Sequence, residues 1–174
     1  MLIIEGFRSE SVGEDTIVYC NWFKTLYKDA TISDLPVLKQ YQDVEYGFSV
    51  LNIVIRKIWP NTQFFLFVTS LLILGLHFNY ICENSKNIAL SIIIFLCLNY
   101  FFTSMTTIRQ YIAMGLVFIA TSKVNKKEYF SAIILAIIGV LFHTTSLVYI
   151  LVVVFVKIFK LKKGYWLVCF LMGL

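Results

Sequence analysis

The sequence predicts an all-α fold, a polytopic bundle of membrane-spanning helices with a helical cap along one face. Three observations predict it. The 174-residue chain is 59% hydrophobic and only 14% charged, with a mean hydropathy of +0.81, whereas soluble domains run near a quarter charged. Its charge is confined to the N-terminal third and to short clusters between long apolar runs. Thr62 to Cys82 holds no Asp, Glu, Lys or Arg, and as a helix it would reach about 31 Å, the thickness of a hydrocarbon core.

Residues 1–60 read as the cap. The opening Met1-Leu2-Ile3-Ile4-Glu5 has neither the basic start nor the apolar length of a signal peptide. From Asp15 to Lys28, Tyr19, Trp22, Phe23, Leu26 and Tyr27 fall on roughly one face of a helix. Tyr46 to Trp59 is apolar but short and stops at Pro60, which suits an interfacial or partly buried helix.

Residues 61–174 read as the membrane region, with spans at 62–82, 87–104, 108–122, 128–143, 144–160 and an incomplete one at 164–174. A polar elbow, Thr103 to Thr107, separates the second from the third. Several runs are short enough for tilted or re-entrant helices. Fusing the pair around His143 would give a helix of about 45 Å, half again the bilayer core, so a hairpin bent at His143 is expected. The last apolar run stops after 11 residues where spanning takes about 20; the chain is expected to end within a span, as a fragment.

The net charge of +5 comes with no basic face or reading motif, which argues against a nucleic-acid partner. The lysines set topology instead. Lys86, then Lys123, Lys126 and Lys127, then Lys157, Lys160, Lys162 and Lys163 occupy every second connection, as cytoplasmic loops do. The N-terminal cap, the elbow before Gln110 and the turn at His143 then share the extracytoplasmic face. Trp59, Tyr80, Tyr100, Tyr149 and Trp166 sit near span ends as interfacial anchors. Cys20, Cys82, Cys97 and Cys169 lack metal or redox spacing and read as small hydrophobes.

This topology places Arg109, His143 and the acidic residues Asp15 and Glu45 on one rim. Arg109 interrupts an apolar stretch and could either snorkel to headgroups or grip a phosphate with its fixed fork. His143 could be a base or a packed, hydrogen-bonded imidazole, and Thr144, Thr145 and Ser146 could merely cap the next helix. His77 lies mid-span and should face a polar interior. Arg8, Gly13, Glu14, Asp15 and Tyr19 form a compact polar set that a solvated surface would also explain. There is no phosphate loop, metal-ligand cluster or nucleophile elbow.

Four landmarks carry a resemblance. They are Phe7-Arg8 with Val12-Gly13-Glu14-Asp15-Thr16 and Tyr19; Val44-Glu45-Tyr46-Gly47-Phe48; Ile108-Arg109-Gln110-Tyr111; and Phe142-His143-Thr144-Thr145-Ser146. In this order over Arg8 to Ser146 they resemble the EpsG family of Wzy-like bacterial polysaccharide polymerases. Glu14 departs from the pattern, which usually has Thr there, and relatives carry further helices before and after.

The resemblance implies a GT-C-like or Wzy-like membrane fold. It also implies a glycosyltransferase that polymerises undecaprenyl-diphosphate-linked repeat units into exopolysaccharide, capsule or O-antigen at the outer face of the bacterial inner or cytoplasmic membrane. Membrane lipids, a chain-length regulator and a flippase are the partners it implies. Arg109, with Arg8, would hold the diphosphate; His143, Asp15 or Glu45 would take the acceptor proton; Gln110 and Tyr19 would bind substrate. No cofactor or metal is expected. A transporter or flippase of lipid-linked sugars, and a non-catalytic membrane subunit, fit the same residues.

Overall fold

The computed structural model describes residues 1–148, 150 and 151, so most of the expected span at 144–160 and all of that at 164–174 lie outside the described residues. Among the described residues, every regular element is helical. In order they are α1 (Leu2–Gly6), α2 (Thr16–Thr25), a 3-10 turn (Ile32–Asp34), α3 (Leu35–Gln42), α4 (Tyr46–Ile58), α5 (Thr62–Asn84), α6 (Ile88–Cys97), α7 (Tyr100–Thr106), α8 (Ile108–Asn125) and α9 (Tyr129–Phe142).

Local chemistry sets the boundaries. Asn61 caps α5 by accepting from the backbone N–H groups of Gln63 and Phe64, and Asn87 caps α6 through Leu90 N–H. Pro60 follows α4 and keeps it from running into α5. Within the expected span at 87–104, α6 and α7 meet at a 58° bend. Asn99 takes a left-handed φ of 64° at the break, a conformation Asn tolerates better than most residues.

α5 is long and apolar enough to cross a membrane, and α6 with α7 passes the same test as one bent pair. α8 packs against α5 on one side and α9 on the other. α5 and α8 run in the same direction: Phe65 shares a core cluster with Ile108, while near their other ends Ser122 donates to Glu83 at 3.4 Å. α9 returns antiparallel, bringing Gly139 against Ala113.

The bundle has two chemically distinct ends. At one, Lys126 pairs with Glu83 and Lys123 with Glu128, each at 2.8 Å. At the other, α2, the start of α4, the start of α8 and the end of α9 meet around Phe23, Phe48 and Phe65, which are fully buried. Outward, α6 and α9 bare Ile93, Leu98, Phe130, Ile133 and Ile137, while Ser49, Asn52, Thr69, Ser70 and Ser104 are buried. Apolar outside and hydroxyls inside is what lipid-facing helices present, and it fits a membrane protein.

Candidate functional site

Glu45 precedes α4 with extended backbone, φ −68° and ψ 145°, and its side chain caps nothing. The carboxylate turns instead toward two other helices. One oxygen, Oε2, forms an ion pair with Arg109 Nη1 at the start of α8. The other, Oε1, accepts from His143 Nδ1 at 2.8 Å just past α9 and more weakly from Thr144 N–H at 3.4 Å. Three residues separated by most of the sequence thus meet on one carboxylate.

Gly47 permits the approach. A Cβ there would lie 2.7 Å from the Leu141 carbonyl oxygen and 2.9 Å from its carbon, closer than real Cβ contacts come. Because that neighbour is backbone, the last turn of α9 could not stay where it is, and His143 follows directly from that turn. Phe48, next in line, is fully buried and sets its ring against Tyr19 at 5.3 Å. The segment from Glu45 to Phe48 therefore supplies a charge, a close approach and an anchor.

Tyr19, on α2, closes the cluster. Its hydroxyl accepts from Arg109 Nε at 3.4 Å, and its ring lies 5.7 Å from the guanidinium carbon, within cation–π range. Burial pushes the phenol above its ordinary pKa, though Arg109 opposes this. Arg109 spends Nε and Nη1 on these partners and keeps Nη2 free of hydrogen bonds among the described residues.

The electrostatics of Glu45 fix a tautomer. Burial alone would raise its pKa, but the hydrogen bond from His143 and the charge of Arg109 outweigh it and bring the carboxyl down to about 2. An ionised carboxylate can only accept, so Nδ1 of His143 carries a proton. In the neutral imidazole the lone pair then sits on Nε2, the arrangement of a base oriented by a carboxylate.

Of the residues singled out in the sequence, Glu45, Arg109, His143 and Tyr19 come together, and Gln110 lies half-buried beside Arg109. Asp15 stands one turn before Tyr19, exposed and outside the Glu45 cluster. Arg8 faces inward, 6% exposed. It donates to the carbonyl of Glu5 at 2.7 Å, to Ser70 Oγ at 3.0 Å and to the carbonyl of Met105 at 3.1 Å, stitching the N-terminal segment to α5 and α7. His77 also faces inward, but its surroundings are aromatic: Phe95, Tyr111 and Phe118 lie 5.6 to 5.8 Å away, and Nδ1 bonds the Ile73 carbonyl. Sequence reasoning missed Gly47 as the residue that admits α9, although its place two residues after Glu45 was a signal.

No group of three or more His, Cys, Asp or Glu side chains suited to a metal ion occurs among the described residues. A family model described as "EpsG family" matches residues 1–174. No curated protein and no solved structure matches the chain.

Proposed function

The chain belongs to the EpsG family, and from that premise we propose that it is part of a membrane glycosyltransferase that polymerises undecaprenyl-diphosphate-linked repeat units into surface polysaccharide. The observation that carries the reading is the Glu45 bridge, which sets an oriented imidazole beside a guanidinium with an unspent edge.

In this reaction the bond between the anomeric carbon and the diphosphate oxygen breaks as an acceptor hydroxyl oxygen bonds to that carbon. Negative charge grows on the departing diphosphate, and Arg109, through Nη2, stabilises it. The acceptor proton passes to Nε2 of His143. Glu45, with its carboxyl held near 2, is too weak a base for that proton and acts by orienting His143. Gln110 offers an amide to sugar hydroxyls, and Tyr19 positions the guanidinium. Asp15 is the second candidate base. Arg8 acts by positioning α7, since three of its hydrogen bonds are made internally.

The proposed setting is the bacterial inner or cytoplasmic membrane, with the Glu45 end outward. The opposite end carries the lysine and glutamate pairs, in keeping with the bias of cytoplasmic connections toward Lys and Arg.

The test is deletion of the full-length gene in its native host. Loss of long glycan, with single lipid-linked units gathering on the outer face, is the expected result. The same units trapped inside would favour a flippase and overturn the proposal; unchanged glycan would also overturn it.

A further inference from the structure

One face of α7 and its N-terminal boundary carries Asn99, Phe102, Thr103 and Thr106, the three-and-four spacing that stacks side chains along a helix. Opposite stand Gly13, Glu14 and Ile17, from the loop before α2 and its first turns. Between them is an open cleft of about 620 Å³, within the ~300–1,000 Å³ of small-molecule sites.

The loop is pinned so that this space persists. Thr16 Oγ1 donates to the Met105 carbonyl at 2.7 Å. Gly13 sits at φ +97°, where an added Cβ would meet Thr16 Oγ1 at 2.7 Å and Met105 O and Thr106 Oγ1 at 3.1 Å. Only glycine lets the loop lie this close to α7.

The lining has a specific chemistry. The side chains of Glu14, Asn99 and Thr106 make no hydrogen bond or ion pair among the described residues, and Thr103 donates to the Asn99 carbonyl at 2.9 Å while keeping lone pairs to accept with. Phe102, 57% exposed, offers an aromatic face. Among the described residues no Lys or Arg lines the cleft, so a phosphate finds no counter-charge from them, whereas hydroxyl-rich rings find a carboxylate and an amide for their hydroxyls and an aromatic surface for their C–H face. Thr106 precedes Arg109 by three residues and Asp15, next to Glu14, precedes Tyr19 by four, so the two walls of the cleft lead along the chain into α8 and α2, the helices that carry Arg109 and Tyr19.

We propose that this cleft binds the acceptor saccharide, an uncharged or amino-bearing glycan end, while the diphosphate of the donor goes to Arg109. The proposal rests on the glycosyl-transfer reading for the word acceptor, but saccharide binding itself follows from the lining.

Full-length protein in lipid nanodiscs should bind short phosphate-free oligosaccharides, made by partial acid hydrolysis of the host's own extracellular polysaccharide, in isothermal titration calorimetry. Glu14→Gln should weaken binding roughly tenfold through loss of a charged hydrogen-bond acceptor, and Phe102→Ala by a comparable factor. Both cleft positions are exposed, and either variant alone suffices if the other fails to fold. Wild-type affinity in a folded Glu14→Gln or Phe102→Ala protein would overturn the proposal, as would absence of saturable binding by the wild type. Weakened binding in both variants alongside normal glycan in the deletion strain would leave the cleft standing and remove the polymerase reading instead.

Discussion

His143 Nδ1 lies 2.8 Å from Glu45 Oε1 across 98 residues of sequence, and that contact joins the end of α9 to the start of α4. Its energetic weight comes from burial. Glu45 is 7% exposed, and a charge removed from water must be matched by partners that remain in place.

Replacing Glu45 with Ala should therefore destabilise the protein by about 3–5 kcal/mol, because Arg109 is left with a half-buried and unmatched charge. Denaturant unfolding of the purified protein measures it. A loss under ~1 kcal/mol would mean the bridge behaves as a surface pair.

The same carboxylate gives stability a pH dependence of known sign. Glu45 ionises more readily folded, near 2, than at its ordinary 4.5, so its contribution is fully present above about 4.5 and is lost as pH falls toward about 2. Wild type and Glu45→Gln should differ most near neutrality, with the gap narrowing over that acid window. A gap that widens on acidification would contradict the assignment.

Arg109→Lys keeps the charge and loses the fork that serves Tyr19 and Glu45 while leaving Nη2 free. Polymer formation in complemented deletion cells should fall by about 10²-fold or more, as when an oriented donor to developing negative charge is removed. Full activity would show that a point charge is enough.

Gly47→Ala should cost about 1–3 kcal/mol by overpacking against the Leu141 backbone. It should lower polymer formation although residue 47 reaches no substrate. Unchanged thermal unfolding and activity would mean that α9 is not held as described.

The helical and apolar character of the chain was legible from hydropathy, because that is a property of single segments. So were Arg109, His143 and Glu45 as candidate residues. Their joining through one carboxylate was not, since it depends on how closely α9 approaches Gly47, a distance no local pattern encodes. Arg8 and Asp15 looked equivalent in sequence to the other polar cap residues. The structure separates them because Arg8 is consumed by carbonyls of neighbouring elements and Asp15 remains at the surface. The bend at Asn99 was hidden inside an apolar run, where one tolerant residue breaks the helix.

Glu45, Arg109 and His143 are proposed to occupy one rim that faces outward. In a variant with its cysteines replaced by serine, single cysteines at the exposed positions Asp43, Thr144 and Lys127 can be probed on intact cells with a membrane-impermeant maleimide. Positions 43 and 144 should label at once, and position 127 only after the cells are permeabilised. Labelling of 43 and 144 from opposite sides, or of 127 together with both, would contradict it.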